Sequence, residues 1–200
     1  VLLCFRFLEE LLQALDEQVR PAGMDVSKSI AENGVIIVPC LNPDGLQIVK
    51  HGAKGALHLK GLVERAAGKD VSHWQANARG VDINHNFDAG YAIVKQQEKE
   101  AGISGPSPTR WGGPFCESES ETRAITSLCR VMPIKKLFAF HSQGEEIYYR
   151  YGEHTPAQSK LMASLMASSC GYTVCEPQGM ASHGGLKDWF IQTFSRPGFT

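Results

Sequence analysis

Residues 136–149 constrain the fold more than any other stretch of the chain. The apolar run at 137–140 predicts a buried strand that ends at His141, and a second strand-like run follows at 147–151. Ligand-binding crevices of open α/β sheets lie at the carboxyl ends of strands. We therefore expect His141 at a functional site, and the alternative is a hydrogen-bonded histidine at a strand terminus.

The rest of the chain alternates between helical and strand-like patterns. Near the start, four leucines recur at helical spacing and predict a helix that begins at Val1 without a cap: Leu8, Leu11, Leu12 and Leu15. A β-branched run at 35–40 predicts a strand covered on both faces, and Asn-Pro-Asp-Gly at 42–45 predicts a turn after it. Further helices are predicted at 118–132, 155–169 and 186–194, a short strand at 172–175, and loops at 51–69 (with some helix) and 102–113. This alternation favours an α/β fold with a parallel or mixed sheet between helices.

Composition restricts the class of partner. The 200 residues suit one domain, spanning 1–200, with enough chain for a sizeable core. The net charge of −1 is spread along the chain, so neither a nucleic-acid partner nor a polybasic membrane patch is expected. No apolar run reaches the roughly 20 residues that span a bilayer. The oligomeric state stays open.

The cysteine pattern favours a reducing compartment. The six cysteines form no Cys-x-x-Cys pair, and most lie among apolar residues, as buried free thiols do. A disulfide between Cys170 and Cys175 is the alternative. The apolar start of the chain is followed by acidic residues, so it is not interpreted as a signal peptide.

Five polar segments occur in an order that resembles the zinc carboxypeptidase family, in its bacterial branch that acts on cell-wall peptides. They are Leu41-Asn-Pro-Asp-Gly45, Arg79-Gly-Val-Asp-Ile-Asn-His-Asn-Phe-Asp88, Gly112-Gly-Pro-Phe-Cys-Glu-Ser-Glu-Ser-Glu-Thr122, Phe138-Ala-Phe-His-Ser142 and Gly184-Gly-Leu-Lys-Asp-Trp189. The resemblance runs from the first helix to the last residue. It implies a three-layer α/β/α fold around a mixed, twisted sheet, incomplete at both ends, with one catalytic Zn2+ ion. The implied activity is hydrolysis of an amide bond near a free carboxylate.

By position, the resemblance assigns the metal and the substrate carboxylate to three residues. His141 matches the family's last zinc ligand, and Asn84 matches the asparagine that binds the carboxylate of a peptide substrate. His85 stands where the family's common pattern has an arginine. A guanidinium binds a carboxylate through two hydrogen bonds, which an imidazole cannot do. We therefore expect a substrate other than a plain protein C-terminus, such as a γ-D-glutamyl-diaminopimelate peptide.

A loop of Asx turns is the alternative interpretation of residues 82–86. Asp82 is expected to have that structural role even if the segment belongs to an active site.

Two further roles are assigned by position. The family's carbonyl-polarising arginine often follows a tryptophan, but Gln75 follows Trp74 here, so Arg79 is the candidate or the role is lost. The family's substrate-capping tyrosine falls at Met180, which cannot donate a hydrogen bond. The capping function is then absent or comes from a tyrosine elsewhere in the chain: Tyr148, Tyr149 or Tyr172.

Part of the family's site has no match in the sequence. The resemblance implies a His-x-x-Glu pair of zinc ligands before the first helix, and no His-x-x-Glu occurs in the chain. The general-base glutamate of the family would lie beyond Thr200. Because catalytic zinc uses three protein ligands, we expect this chain to be a stretch of a larger catalytic domain, inactive by itself. The alternatives are a zinc deacylase of the same superfamily and an inactive module that binds carboxylated peptides.

Overall fold

The computed structural model describes residues 1–17, 20, 23, 25–68, 70–176, 178–179 and 183–200. They form two compact units, Val1–Leu41 and Asn42–Thr200. Met180, the position that the resemblance assigns to the substrate-capping residue, lies outside the described residues. Its role and the assignment of 1–200 to a single domain both stay predictions.

Two helices make up most of the first unit. The first, α1 (Leu2–Asp16), begins after Val1 without a side-chain cap, as predicted. The second, α2 (Val26–Asn33), begins after Asp25, whose carboxylate accepts a hydrogen bond of 3.0 Å from the Lys28 backbone N–H.

The segment at 34–40 has no regular secondary structure. Val35, Ile36 and Val38 are 42–50% exposed. The strand predicted at 35–40 is wrong, because no described residue pairs with this segment as a neighbouring strand and its β-branched side chains stay uncovered.

In the second unit, the Asn-Pro-Asp-Gly sequence begins a helix instead of forming a turn. The Asn42 side chain accepts a hydrogen bond of 2.9 Å from the Gly45 N–H and caps α3 (Pro43–His51). A 3-10 helix at Gly52–Leu59 then leads into α4 (Lys60–Ala67). The prediction that 51–69 is mainly a loop is therefore wrong. The segment lacks a clear period, but Ala56 and Val63 are buried with Ile48 and Trp74 in one apolar cluster.

Four more helices follow along the chain. They are α5 (Tyr91–Glu100), α6 (Ser120–Val131), α7 (Ser159–Cys170) and α8 (Leu186–Phe194), with single 3-10 turns at Ile83–His85 and Gly152–His154. The predictions for α6, α7 and α8 are confirmed, although α7 begins later than expected. Gly171 ends α7 in the left-handed conformation at φ 79°.

Four short strands form two parallel pairs in the second unit. Strand β1 (Leu137–Phe138) pairs with β4 (Gly198–Phe199), and β2 (Glu146–Tyr148) pairs with β3 (Thr173–Cys175). Backbone hydrogen bonds of 2.8 and 2.9 Å run in both directions between Tyr148 and Thr200. Such an exchange is typical of antiparallel neighbours, so it links the two pairs with mixed directions. The predicted α/β class is confirmed.

Strand β1 is shorter and more exposed than predicted. It ends at Phe138, three positions before His141, and Phe138 and Phe140 are 47% and 69% exposed. The prediction of a buried strand that ends at His141 is wrong in both respects. Leu137 is buried and Phe138 is exposed, so the described residues cover one face of β1 and leave the other open.

All six cysteines are free thiols, and Cys129 is the fully buried one. The alternative disulfide between Cys170 and Cys175 is therefore wrong for this structure. In the described part of the chain, the helices are too short or too polar to cross a bilayer.

Candidate functional site

Asn84 and His85 lie on a single 3-10 turn, Ile83–His85, which packs against the segment at 109–112. The Asp82 carboxylate begins this turn by accepting a hydrogen bond of 3.2 Å from the Asn84 backbone N–H. The Asp82 N–H donates to the Trp111 carbonyl at 2.7 Å. A Cβ atom at Gly112 would lie 2.3 Å from the His85 carbonyl oxygen, so this close approach requires glycine.

The Asp82 carboxylate is the centre of this turn. It is 5% exposed, pairs with His85 Nδ1 at 3.1 Å, and accepts hydrogen bonds from Arg110 N–H at 2.8 Å and Thr109 Oγ1 at 3.1 Å. Desolvation raises the pKa of Asp82, but the hydrogen bond and charge of His85, with the Arg110 and Thr109 bonds, bring it below its ordinary value. Asp82 is therefore ionised at neutral pH, and it fixes the orientation of the His85 ring.

The Asn84 side chain is half-buried and fixed at one end. Its Oδ1 accepts a hydrogen bond of 3.3 Å from the Leu186 N–H at the start of α8, beside Gly185. Within the described residues its Nδ2 group has no acceptor. The amide therefore has donors left for a ligand, in an orientation that the bond to α8 sets.

His141 interacts electrostatically with two residues of this turn, Asp82 and His85. Desolvation lowers the pKa of His141, Asp82 raises it, and His85 lowers it. Its net pKa is below the ordinary value, so the neutral imidazole, the form that binds metal ions, predominates at neutral pH. His141 lies in the segment that follows β1, where part of its surface is exposed to solvent and the rest is desolvated by neighbouring residues.

Arg79 lies on the same polar segment, three residues before Asp82. Its Nε is 3.3 Å from the Glu119 carboxylate, and its side chain is 60% exposed. Glu119 is 2% exposed and is also bound by Asn77 Nδ2 at 2.8 Å and Ser118 Oγ at 2.7 Å. The two terminal nitrogens of Arg79 have no acceptor in the described part of the chain.

A cavity of about 410 Å3 borders Arg79. Two of its lining residues are basic and five are apolar: Arg79, His58, Leu59, Leu62, Pro106, Trp111 and Pro114. The Trp111 backbone is bonded to Asp82, so the cavity shares a wall segment with the Asn84 turn.

Gln75, which stands where the resemblance expects an arginine, reaches the same network. Its Oε1 lies 2.8 Å from Thr109 Oγ1, which also lies 3.1 Å from Asp82, so these two acceptors share the single hydroxyl proton of Thr109. Gln75 is exposed and neutral, so it provides no positive charge at this position.

The three alternative tyrosines differ in their surroundings. The Tyr148 hydroxyl donates to Glu146, Tyr149 is buried, and Tyr172 is 45% exposed. The hydrogen bond to Glu146, burial and the charge of Glu146 together raise the pKa of Tyr148 to about 12. Among the described contacts, none joins these tyrosines to the Asn84 turn, so the choice of a substrate-capping residue stays a prediction.

The described residues do not by themselves fit a complete zinc site. Catalytic zinc is held by three protein ligands. In the part of the chain that the structure describes, no group of three or more His, Cys, Asp or Glu side chains is placed to hold a metal ion. His141 is thus one assigned ligand without its counterparts.

Sequence reasoning missed several residues that hold the site together. Asn86 is fully buried, and its Nδ2 donates to the carbonyl of Gly112 at 2.6 Å and to Ser118 Oγ at 3.0 Å. Asn77 and Thr109 bind the acidic partners of Arg79 and His85. Asn86 and Glu119 lie inside the family-like segments 79–88 and 112–122, so their positions in the sequence could have indicated a role in the site. Asn77 and Thr109 gave no such indication, because their partners are distant in sequence.

Comparisons with known proteins agree with these motifs. The family model for zinc carboxypeptidases matches residues 3–196. The chain is similar to gamma-D-glutamyl-L-diamino acid endopeptidase 1 of Lysinibacillus sphaericus, at 33% identity over 197 residues, which cover 97% of this chain and 48% of that protein. It is also similar to the uncharacterized protein YqgT of Bacillus subtilis, at 29% identity over 180 residues, 89% of this chain and 47% of that one.

Human carboxypeptidase B matches a shorter part of the chain. It is 30% identical over 144 residues, which cover 64% of this chain and 33% of that protein. The chain spans about half the length of the two bacterial relatives.

Proposed function

Because this chain belongs to the zinc carboxypeptidase family, we propose that it is the carboxylate-binding part of a zinc-dependent peptidase. The reaction is hydrolysis of an amide bond near a free carboxylate. We assign a three-layer α/β/α architecture to the whole domain, supported by the family match and by the mixed directions of the short strands.

The observation that carries this proposal is the state of Asn84. Its Oδ1 is bonded to α8, while its Nδ2 retains donors that no described residue uses. A side-chain amide held in this way is suited to donate hydrogen bonds to a substrate carboxylate. His85, oriented by Asp82, lies next to it and adds a positive charge when protonated.

His85 also supports the choice of substrate. Without the two-bond grip of an arginine, a plain C-terminal carboxylate is held less tightly. A substrate with additional polar groups compensates for this loss. The bacterial relative is named for its action on a gamma-D-glutamyl-L-diamino acid bond, and we propose cell-wall peptides of that kind as substrates here.

The metal is the part of the proposal that rests on the family. We assign His141 as one zinc ligand, and the proposal requires two further ligands and a general base beyond those that the described residues supply. Because the described residues supply carboxylate-binding groups and no set of three metal ligands, a second candidate function is a module that binds carboxylated peptides without hydrolysing them.

Hydrolysis by the whole natural protein separates these functions. We would compare a γ-D-glutamyl-diaminopimelate tripeptide, a hippuryl-type peptide and an N-acyl amino acid, before and after zinc removal by a chelator. The proposal predicts that the tripeptide is cleaved fastest, that chelation abolishes cleavage and that added zinc restores it. Cleavage of the N-acyl amino acid alone would instead indicate a deacylase, and tight binding of the tripeptide without cleavage at any zinc concentration would indicate a binding module.

A further inference from the structure

The cavity beside Arg79 combines an apolar wall with a positive charge. Its volume, about 410 Å3, is within the range of roughly 300–1,000 Å3 that small-ligand pockets occupy. Leu62 and Trp111 contribute apolar surface, and Arg79 contributes a guanidinium. Such a lining suits an anionic group attached to a short aliphatic chain.

Arg79 is positioned before any ligand binds. Its Nε is paired with Glu119, which is buried and held in turn by Asn77. The terminal nitrogens, which have no acceptor among the described residues, keep four N–H groups in the fork geometry that binds a carboxylate through two parallel bonds. The buried carboxylate therefore pairs with the guanidinium at Nε and leaves the terminal nitrogens to contact a ligand.

Trp111 connects this cavity to the Asn84 turn. Its carbonyl accepts the hydrogen bond from Asp82 N–H at 2.7 Å, and the preceding Arg110 donates its N–H to the Asp82 carboxylate at 2.8 Å. Arg110 has a φ of 70°, a conformation that non-glycine residues rarely adopt and that these bonds maintain. Trp111 therefore belongs both to the cavity lining and to the segment that packs against the Asn84 turn.

We infer that the Arg79 cavity is a second carboxylate subsite, which binds the residue on the acyl side of the scissile amide through that residue's own free carboxylate. This inference rests on the proposed function, which places the other carboxylate of the substrate at Asn84. It selects γ-glutamyl amides, because a γ-linked glutamyl residue keeps its α-carboxylate free beside the scissile bond. Arg79 then has a binding role, distinct from the carbonyl polarisation predicted for it from sequence.

The test uses a ligand that is not hydrolysed. The parent ligand is an analogue of γ-D-glutamyl-L-alanine in which a ketomethylene group replaces the amide. Two variants of this ligand each carry one carboxamide, in the first at the glutamyl α-carboxylate and in the second at the C-terminal carboxylate. Calorimetry with the whole protein should show about tenfold weaker binding of the α-carboxamide, the scale of one charge-assisted hydrogen bond. Arg79→Gln should remove this difference. Arg65→Gln, an exposed arginine of α4 outside the cavity, should keep it.

Arg79→Lys guards against misfolding, because it keeps a cation beside Glu119 while losing the fork geometry. It should retain the parent's melting temperature and lose most of the preference for the α-carboxylate. Equal affinity of the parent for the ligand and its α-carboxamide, or the same preference in parent, Arg79→Gln and Arg79→Lys, would overturn the inference. The C-terminal carboxamide tests the proposed function separately: if it binds as tightly as the parent ligand, the Asn84 site is contradicted while the Arg79 subsite stands on its own result.

Discussion

At the scale of single residues, Asp82 connects more parts of the site than its neighbours do. Its carboxylate binds the backbone of Asn84 and Arg110, the Thr109 hydroxyl and the His85 ring. Sequence reasoning expected a structural Asx turn here and could not foresee Arg110 or Thr109, which lie 28 and 27 positions away. The turn at Asp82 was therefore predictable from sequence, and its contacts with Arg110 and Thr109 were not.

Replacing Asp82 by asparagine should destabilise the protein at neutral pH. The pKa of Asp82 is lowered in the folded state, so its contribution is fully present above the ordinary aspartate pKa of about 3.9 and is lost as the pH falls through the lower folded value. Asp82→Asn should reduce the free energy of unfolding at pH 7 by about 1–3 kcal/mol. In urea titrations the difference from the parent should narrow below about pH 4. The control is Asp16→Asn, an exposed position in α1; equal losses for Asp82→Asn at both pH values would contradict the argument.

Arginine at position 85 should change substrate preference. The His85 ring is 13% exposed and paired with Asp82, and a guanidinium there can form two bonds with a plain terminal carboxylate. We expect His85→Arg in the whole protein to shift the ratio of kcat/KM toward a hippuryl-type substrate and away from a γ-D-glutamyl-diaminopimelate tripeptide by about tenfold or more. An unchanged ratio, or a parent that already prefers the hippuryl substrate, would show that His85 does not set specificity.

At the scale of elements, the apolar period and the flanking residues predicted a helix correctly where its own sequence carries these signals. The bounds of α8, Leu186–Phe194, match the prediction, because a Gly-Gly pair precedes a run whose interior is almost wholly buried. The segment at 35–40 has the composition of a strand but no partner among the described strands. The link between Asn77 and Glu119 spans 42 positions. Periodicity and composition report on neighbours along the chain, so they could not supply either of these facts.

The start of α3 gives a test at this scale. Asn42 accepts from Gly45 N–H and donates to the carbonyls of Gln75 and Ala76 at 2.9 and 3.0 Å. Asn42→Ala removes the cap and both donors, and should lower the free energy of unfolding by about 1–2 kcal/mol or more. Asn42→Ser keeps a capping acceptor and removes the amide donors without placing a carboxylate against the two carbonyls, so its stability should fall between parent and alanine variant in urea titrations. An alanine variant as stable as the parent would contradict this account of the cap.

At the scale of the whole molecule, the described residues supply binding groups and one assigned metal ligand. A single histidine leaves a zinc ion largely hydrated, whereas tight sites use three or four protein ligands. We predict that the 200-residue chain does not hold stoichiometric zinc at submicromolar free metal in equilibrium dialysis. Stoichiometric zinc would show that the chain supplies several protein ligands, and its loss in His141→Ala would show that His141 is one of them.

The proposed role of Asn84 is to bind the free carboxylate of the substrate. The most direct measurement is kcat/KM of the whole zinc-loaded protein for two peptides that differ solely in a terminal carboxylate or carboxamide, in the parent and in Asn84→Ala. We expect the parent to prefer the carboxylate by about tenfold or more, the scale of a charge-assisted hydrogen bond. Asn84→Ala should lose most of this preference. A preference of the same size in the parent and in Asn84→Ala would contradict this role.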